Sequence, residues 1–271
     1  MVQKNILATI LINNYNNQKF IKKCIKSCLA QSHENLEIII YDDKSNDNSK
    51  KILQKIKNAK IKKIFNSKKS YQSSALNQLE AIQKSFLKSK GEIIFLLDSD
   101  DCFLKDKVKT IVNEFKKNKE INFIQDNPIY FYPNKNLKLY KKLKKKYFTL
   151  HTWPYFHPTS TMVFRKNFLK KVLKEISFSK NNFGKMFFDA RAFIYIYFFE
   201  NSYLNLDKNL TIYTQNDTGD TLSNYDQKNS NWWQRRLEYH KFVKNLFIKN
   251  NKFHFRFIDY YLTYLINFFL K

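Results

Sequence analysis

The chain has 271 residues, 43% of them hydrophobic and 17% aromatic, enough to bury a sizeable core in one large domain and too apolar for a disordered chain. Its 49 basic residues against 23 acidic ones raise nucleic acid or an anionic membrane surface as a partner. Only five of the basic residues are arginine (Arg165, Arg191, Arg235, Arg236 and Arg256), the planar fork that base edges and phosphates favour, so a specific nucleic-acid partner is not expected and biased composition explains the lysines equally well.

In chain order, "ILATILI" (6–12) predicts a strand, and Phe20, Ile21, Cys24, Ile25, Cys28 and Leu29 then recur at helical spacing. "LEIIIY" (36–41) predicts a second strand, apolar on both faces as a central parallel strand is. A helix carrying Ile52, Leu53 and Ile56 follows, then a short strand "KKIF" and a helix over 74–90, with Gly91 as its expected C-cap. "GEIIFLLDSDDCF" (91–103) gives the fourth strand. This alternation predicts a parallel sheet covered by helices on both sides. Beyond residue 104 the pattern loosens into a helix (106–117), strands near 121–132, a lysine run (136–147) that defaults to a solvated face, and a strand "TMVF" (161–164). Helices at about 166–175 and 187–199, a strand "LTIYT" (210–214), a polar loop "QNDTGDTLSN" (215–224) with Gly219 as a pivot, and an aromatic helical tail from Trp232 complete the chain. Neither an internal repeat nor a linker is visible.

Cys24, Cys28 and Cys102 are too few for a disulfide framework, and the first two, four apart on a helix, are expected to face the core. A reducing, cytoplasmic setting is expected, with no leader before the first strand and no stretch long and uncharged enough to span a bilayer.

The acidic residues carry the chemistry. Asp98 and Asp100 lie two apart in extended chain and project to the same side, so their charges repel unless a cation sits between them. Asp42 and Asp43 close the second strand, and ligands of parallel sheets bind outside the carboxyl ends of the strands. Three glycines (Gly91, Gly184, Gly219) exclude a dinucleotide fingerprint and a P-loop, so a bound nucleotide diphosphate must be neutralised by a cation. Competing readings are a phospho-receiver pair at Asp42-Asp43, a haloacid-type phosphatase motif at "LLDSDDC", and a helix N-cap with first-turn acids ahead of the helix at 106.

"ATILINNYNNQKFIKKCIKSCLAQSHENLEIIIYDDKSNDNSKKIL" and "ALNQLEAIQKSFLKSKGEIIFLLDSDDCF" together resemble the opening of family 2 glycosyltransferases of the GT-A fold, over roughly the first 105 residues. The sequence departs from that family at Lys44 and in "KKSYQSS", where glycines are usual. The resemblance implies an α/β fold, GT-A, with a Rossmann-like mostly parallel sheet flanked by helices and a helical C-terminal extension. It divides the chain into a glycosyltransferase domain over 1–230 (nucleotide-binding half about 1–105, acceptor half about 106–230) and an extension over 231–271.

It further implies inverting transfer from a nucleotide-sugar donor, a UDP-sugar first, to a saccharide or lipid-linked acceptor in surface polysaccharide or glycolipid synthesis. Asp43 would meet the base, Asp42 would support its loop, and Tyr15 and Ser99 would line the nucleotide-sugar site. Asp98 would lie near the ribose and metal, and Asp100 would ligate Mn²⁺ or Mg²⁺. "HPTSTMVFRKNFLKKV" would support the acceptor side and "FFDARAF" would carry the catalytic base, Asp189, whose bland reading is a polar residue of the helix it opens. His157 is expected to be structural. The aromatic tail would pack on the catalytic domain or lie at the inner face of a membrane. A metal-dependent nucleotidyltransferase and a basic nucleic-acid-binding protein are the alternatives.

Overall fold

The structure, a computed structural model, describes residues 5–135, 137–140, 152, 155–177, 182–215, 230–252 and 257–270. Among these, four parallel strands form the first half of one sheet: β1 (Ala8–Asn14), β2 (Leu36–Asp42), β3 (Ile61–Phe65) and β4 (Ile93–Asp98). Helices α1 (Ile21–Leu29), α2 (Ser49–Lys55) and α3 (Ser74–Lys88) connect them. β5 (Cys102–Phe103), α4 (Lys107–Lys117), β6 (Phe123–Tyr132), β7 (Leu137–Tyr140), β8 (Met162–Arg165), α5 (Lys166–Ile176), α6 (Phe188–Phe199) and β9 (Tyr203–Thr214) follow. The sheet runs β3-β2-β1-β4-β8-β6-β9-β5, with β7 on β6. It turns mixed after β4, because β8 is antiparallel to both β4 and β6. Two C-terminal helices close the chain, α7 (Ser230–Lys249) and α8 (Phe257–Phe269).

The apolar runs of β1, β2 and β4, broken only by the buried Thr9 and Glu37 before the polar strand ends, follow from burial on both faces. Successive strand residues point to opposite sides. Leu11, Ile39, Ile94 and Leu96 enter one core, with α3, α5 and α6. Ile10, Ile12, Ile38, Ile40, Phe95 and Leu97 enter the other, with α1 and α4. Cys24 and Cys28 are buried there as free thiols. α7 sends Tyr239, Phe242, Val243 and Leu246 into the first core, so this part of the extension is packed on the sheet's helical layer.

Gly91 differs from expectation. α3 ends at Lys88 with Ser89 as its C-cap, and no glycine among the described residues has positive φ. The glycine is required by close approach: an added Cβ would stand 2.5 Å from Thr9 Oγ1, 2.7 Å from Thr9 N and 2.9 Å from Leu7 O. Two of these are backbone atoms that cannot swing away. Gly91→Ala is therefore expected to destabilise by about 1–3 kcal/mol, the range for overpacking, as read from the urea midpoint.

β9 also begins earlier than its legible "LTIYT", pairing along β6 from Tyr203 through a bulge near Asn127. The acids at 98–101 are not the start of a helix, since α4 opens at Lys107 behind Asp106. Most of the lysine run at 136–147 and the loop at 215–224 fall outside the described residues.

Candidate active site

The parallel register decides which side chains meet. Asn13 lies beside Asp98 and Asn14 beside Asp42, so β1 sets its last two asparagines between the acidic ends of β4 and β2. A cleft of about 270 Å³ opens over this edge, lined among others by Tyr15, Asp43, Asp98, Ser99, Asp100 and Asp189. Six of the seven expected site residues thus share one cleft. Asp42 lies behind it: Asn14 Nδ2 donates to its Oδ2 at 2.7 Å, as does Ser45 Oγ at 2.7 Å, while Ser45 N donates to its Oδ1 at 3.1 Å. Asp42 therefore fixes the loop that carries Asp43.

In that loop Lys44 has φ 56°, the left-handed backbone that glycine adopts freely. The turn is kept although its glycine is not. At the same end Asn66 Nδ2 donates to Asp43 Oδ1 at 2.8 Å, and Lys69 Nζ stands 4.0 Å from Asp43 Oδ2 and 3.1 Å from the centre of the half-exposed Tyr15 ring. This cation comes from the "KKSYQSS" stretch, so the second departure in sequence supplies a lysine to the cleft.

At the other end the carboxylates crowd. Gln78 Nε2, from α3, donates to both oxygens of Asp98 at 3.2 and 3.3 Å, and Gln78 Oε1 accepts the Phe188 N–H at 3.1 Å. One glutamine thereby ties the end of β4 to the start of α6, where Asp189 sits. Burial first, then the charge of Asp100, raises the Asp98 pKa to about 7, with Asp189 adding to the same effect. Ser99 Oγ accepts from Asn17 Nδ2 at 2.7 Å. Asp101 is turned away and fully buried, accepting Ser160 Oγ at 2.5 Å and Thr214 N at 2.8 Å. Ser160 Oγ also accepts the Asp98 N–H at 3.0 Å, so the serine of "HPTST" bridges the acidic turn.

Asp189 lies in the first turn of α6, its Oδ1 accepting the Ala190 N–H at 2.7 Å. Burial pushes its carboxyl up, and the Arg235 guanidinium opposes that push. Arg235 reaches the cleft from α7, with Nε and Nη2 donating to Tyr239 Oη at 2.9 and 2.7 Å and the guanidinium 5.8 Å from the centre of the Phe187 ring. Gln78, Lys69 and Arg235 are among the cleft residues that sequence reasoning did not find. His157 lies outside the cleft lining; it is buried, its Nε2 is 3.1 Å from Asn127 Oδ1, and burial pushes its pKa down to about 4, so it is a neutral packing residue.

A family model described as "Glycosyl transferase family 2" matches residues 9–176, more than half of the chain. The chain belongs to glycosyl transferase family 2. The matched region holds the acidic strand ends and stops short of Asp189 and Arg235. Among relatives, the chain is 32% identical over 125 residues to the Escherichia coli UDP-Glc:alpha-D-GlcNAc-diphosphoundecaprenol beta-1,3-glucosyltransferase WfaP, covering 46% of this chain and 44% of that one. It spans about half the length, or less, of the first such relatives it matches.

Two solved structures share its fold. TarS 1-349 of S. aureus in complex with UDP-GlcNAc aligns with TM-score 0.60 at 15% identity, covering 89% of this chain and 67% of that one. The mannosyltransferase PcManGT of Pyrobaculum calidifontis, in complex with GDP-Man and Mn²⁺, aligns with TM-score 0.60 at 14% identity, covering 90% and 64%. The fold is therefore GT-A, as the first hundred residues led us to expect.

Proposed function

We propose that this protein is an inverting, divalent-cation-dependent glycosyltransferase. It moves a sugar from a nucleotide donor, a UDP-sugar first, to a saccharide or lipid-linked acceptor at the inner face of the cytoplasmic membrane, in surface polysaccharide or glycolipid synthesis. The observation that carries this reading is the convergence of Asp43, Asp98, Asp100 and Asp189 on one cleft at the carboxyl edge of the sheet. The names of relatives add support: WfaP acts on a diphosphoundecaprenol-linked sugar, and GgaA of Bacillus subtilis is a minor teichoic acid biosynthesis protein.

The donor set fits a hard cation. Asp98 and Asp100 bear oxygen ligands; burial first and then the charge of Asp100 raise Asp98, and a divalent ion relieves the repulsion between the two carboxylates. No group of three His, Cys, Asp or Glu among the described residues forms a metal cage. A Mg²⁺-like site takes one or two carboxylates and completes its shell with substrate phosphates and water. Asp100 would hold Mn²⁺ or Mg²⁺ with Asp98 beside it, and the ion would act as a Lewis acid on the diphosphate leaving group.

The chain's own residues do the rest. Asp43 accepts from the base, with Tyr15 alongside it, and Ser99 lines the sugar-nucleotide channel. Asp189 takes the proton of the acceptor hydroxyl as that oxygen bonds to the anomeric carbon. The bond from that carbon to the diphosphate breaks on the opposite face, releasing nucleoside diphosphate and inverting the configuration.

Asp100→Ala tests the donor half. Without ligand it is expected to melt at or above the wild-type temperature, because it removes a charge that raises both Asp98 and Asp101. With a UDP-sugar and Mn²⁺ at about 100 times its dissociation constant, wild type should gain about 2.7 kcal/mol and the variant far less. Equal donor stabilisation in the variant, or in wild type with excess chelator, would remove the cation from the site.

A further inference from the structure

Helix α8 is amphipathic with its faces reversed. Its polar residues point into the protein: Asp259 Oδ1 accepts from Arg236 Nη2 at 2.5 Å, Asp259 Oδ2 accepts from Thr152 N at 3.0 Å, and Thr263 Oγ1 accepts from Arg236 Nε at 3.1 Å. Asn267 Nδ2 donates to Trp233 O at 2.9 Å, and Thr263 and Asn267 are both buried. Residues 259, 263 and 267 are four apart and form one stripe. The opposite stripe is apolar and outward, with Ile258 75%, Leu262 52%, Leu265 50%, Phe268 67% and Phe269 80% exposed. The exposed stripe bears no charge, since Asp259 is the only ionisable acid or base between Phe257 and Phe269 other than tyrosine.

We propose that this face docks the protein on an anionic lipid surface, α8 lying in the plane of the headgroup boundary. No helix among the described residues is long and apolar enough to cross a membrane. Tyr261 and Tyr264, more than half or half exposed beside the apolar stripe, suit the boundary where an aromatic ring meets headgroups. Charge decides between occupants. A net +26 attracts anionic lipid and repels a second copy of the same chain, and Lys241 and Lys244 are exposed on the adjoining α7. The seat of α8 and the cleft also share a helix, since Arg236 holds α8 while its neighbour Arg235 lines the cleft. This docking deepens the lipid-linked acceptor reading and rests on it for its purpose, though not for its test.

The test uses the full chain and sedimentation with vesicles of phosphatidylcholine alone or mixed equally with phosphatidylglycerol. Wild type is expected to bind the mixed vesicles at low salt and less as salt rises, and Leu265→Asp/Phe269→Asp to bind at least about tenfold more weakly, with an unchanged melting temperature because both sites are exposed. Asp100→Ala should sediment as wild type does, so a failed transferase reading leaves this result standing. Equal vesicle binding by the double variant would overturn the proposal. So would a wild type that ignores vesicles but self-associates in analytical ultracentrifugation through the same two residues.

Discussion

Asp189→Asn is expected to fold and bind donor as wild type does while transfer to acceptor falls by at least about 10²-fold, the lower end of what a positioned general base contributes. Asparagine keeps the shape and the oxygen that accepts the Ala190 N–H at 2.7 Å, so the first turn of α6 is preserved. What it loses is the ability to take a proton. The environment supports this role: burial raises the Asp189 carboxyl toward the working range of a base, while Arg235 keeps its charged form accessible. Asp98, Tyr130 and Tyr213 also feel its charge.

A base works above its pKa, so the acid limb of kcat/KM should fall as pH drops through the raised value. Arg235→Ala removes the opposing cation, and that limb should then move to higher pH. If the Asn variant turns over within a few-fold of wild type, Asp189 is only a first-turn acid of α6 and the proton goes elsewhere. An unmoved limb in Arg235→Ala, with activity lost, would assign the guanidinium to substrate instead.

The first half of the fold is legible because each central strand is buried on both faces and each helix on one, so burial writes two distinct periods into the sequence. β1, β2 and β4 show as mostly apolar runs, and Asp42-Asp43 and Asp98-Asp100 follow β2 and β4 directly, which is why the acidic edge of the cleft is readable. The start of β9 is not, since its alternation is confined to Leu204-Asn205-Leu206-Asp207, half-buried and exposed in turn, and is followed by the exposed Lys208; only its buried end, from Leu210, reads as a strand. Gln78, Asp101 and Ser160 act through partners 20 to 113 residues away, a separation at which one sequence has no local pattern.

Arginine did leave a signal. In a chain this rich in lysine, each of the four described arginines sits where a fork is used. Arg165 donates to the carbonyls of Ile121 and Phe115, Arg191 to those of Met186 and Phe183, Arg235 to Tyr239, and Arg236 to Asp259 and Thr263. The rarest cation marks the positions where geometry matters, Arg235 in the cleft among them.

Asp126→Ala is expected to cost about 3–5 kcal/mol in urea unfolding, the range for stripping one partner from a buried ion pair. Lys107 and Asp126 are both fully buried, with Nζ 2.6 Å from Asp126 Oδ1 and 4.2 Å from the centre of the Phe103 ring. Burial pushes Lys107 down and Asp126 up, and the charge of each opposes that push on the other. Removing Asp126 leaves an ammonium with only the Ser160 carbonyl at 2.9 Å and Thr211 Oγ1 at 2.5 Å, and it also strands the Leu210 N–H that Asp126 Oδ2 accepts at 3.2 Å. An apolar pair of similar volume removes the unpaired ammonium but still strands the Leu210 N–H and the Thr211 hydroxyl, so Lys107→Met/Asp126→Leu should recover part of the lost stability. Activity should not return with it. The Ser160 carbonyl that Lys107 holds belongs to the residue whose hydroxyl bridges Asp98 and Asp101, so the pair sets the acidic turn as well as the core. A single variant costing under about 1 kcal/mol would show that the pair does not hold β6, β9 and α4 together. A double variant restoring both stability and donor affinity would show that the acidic turn is set without it.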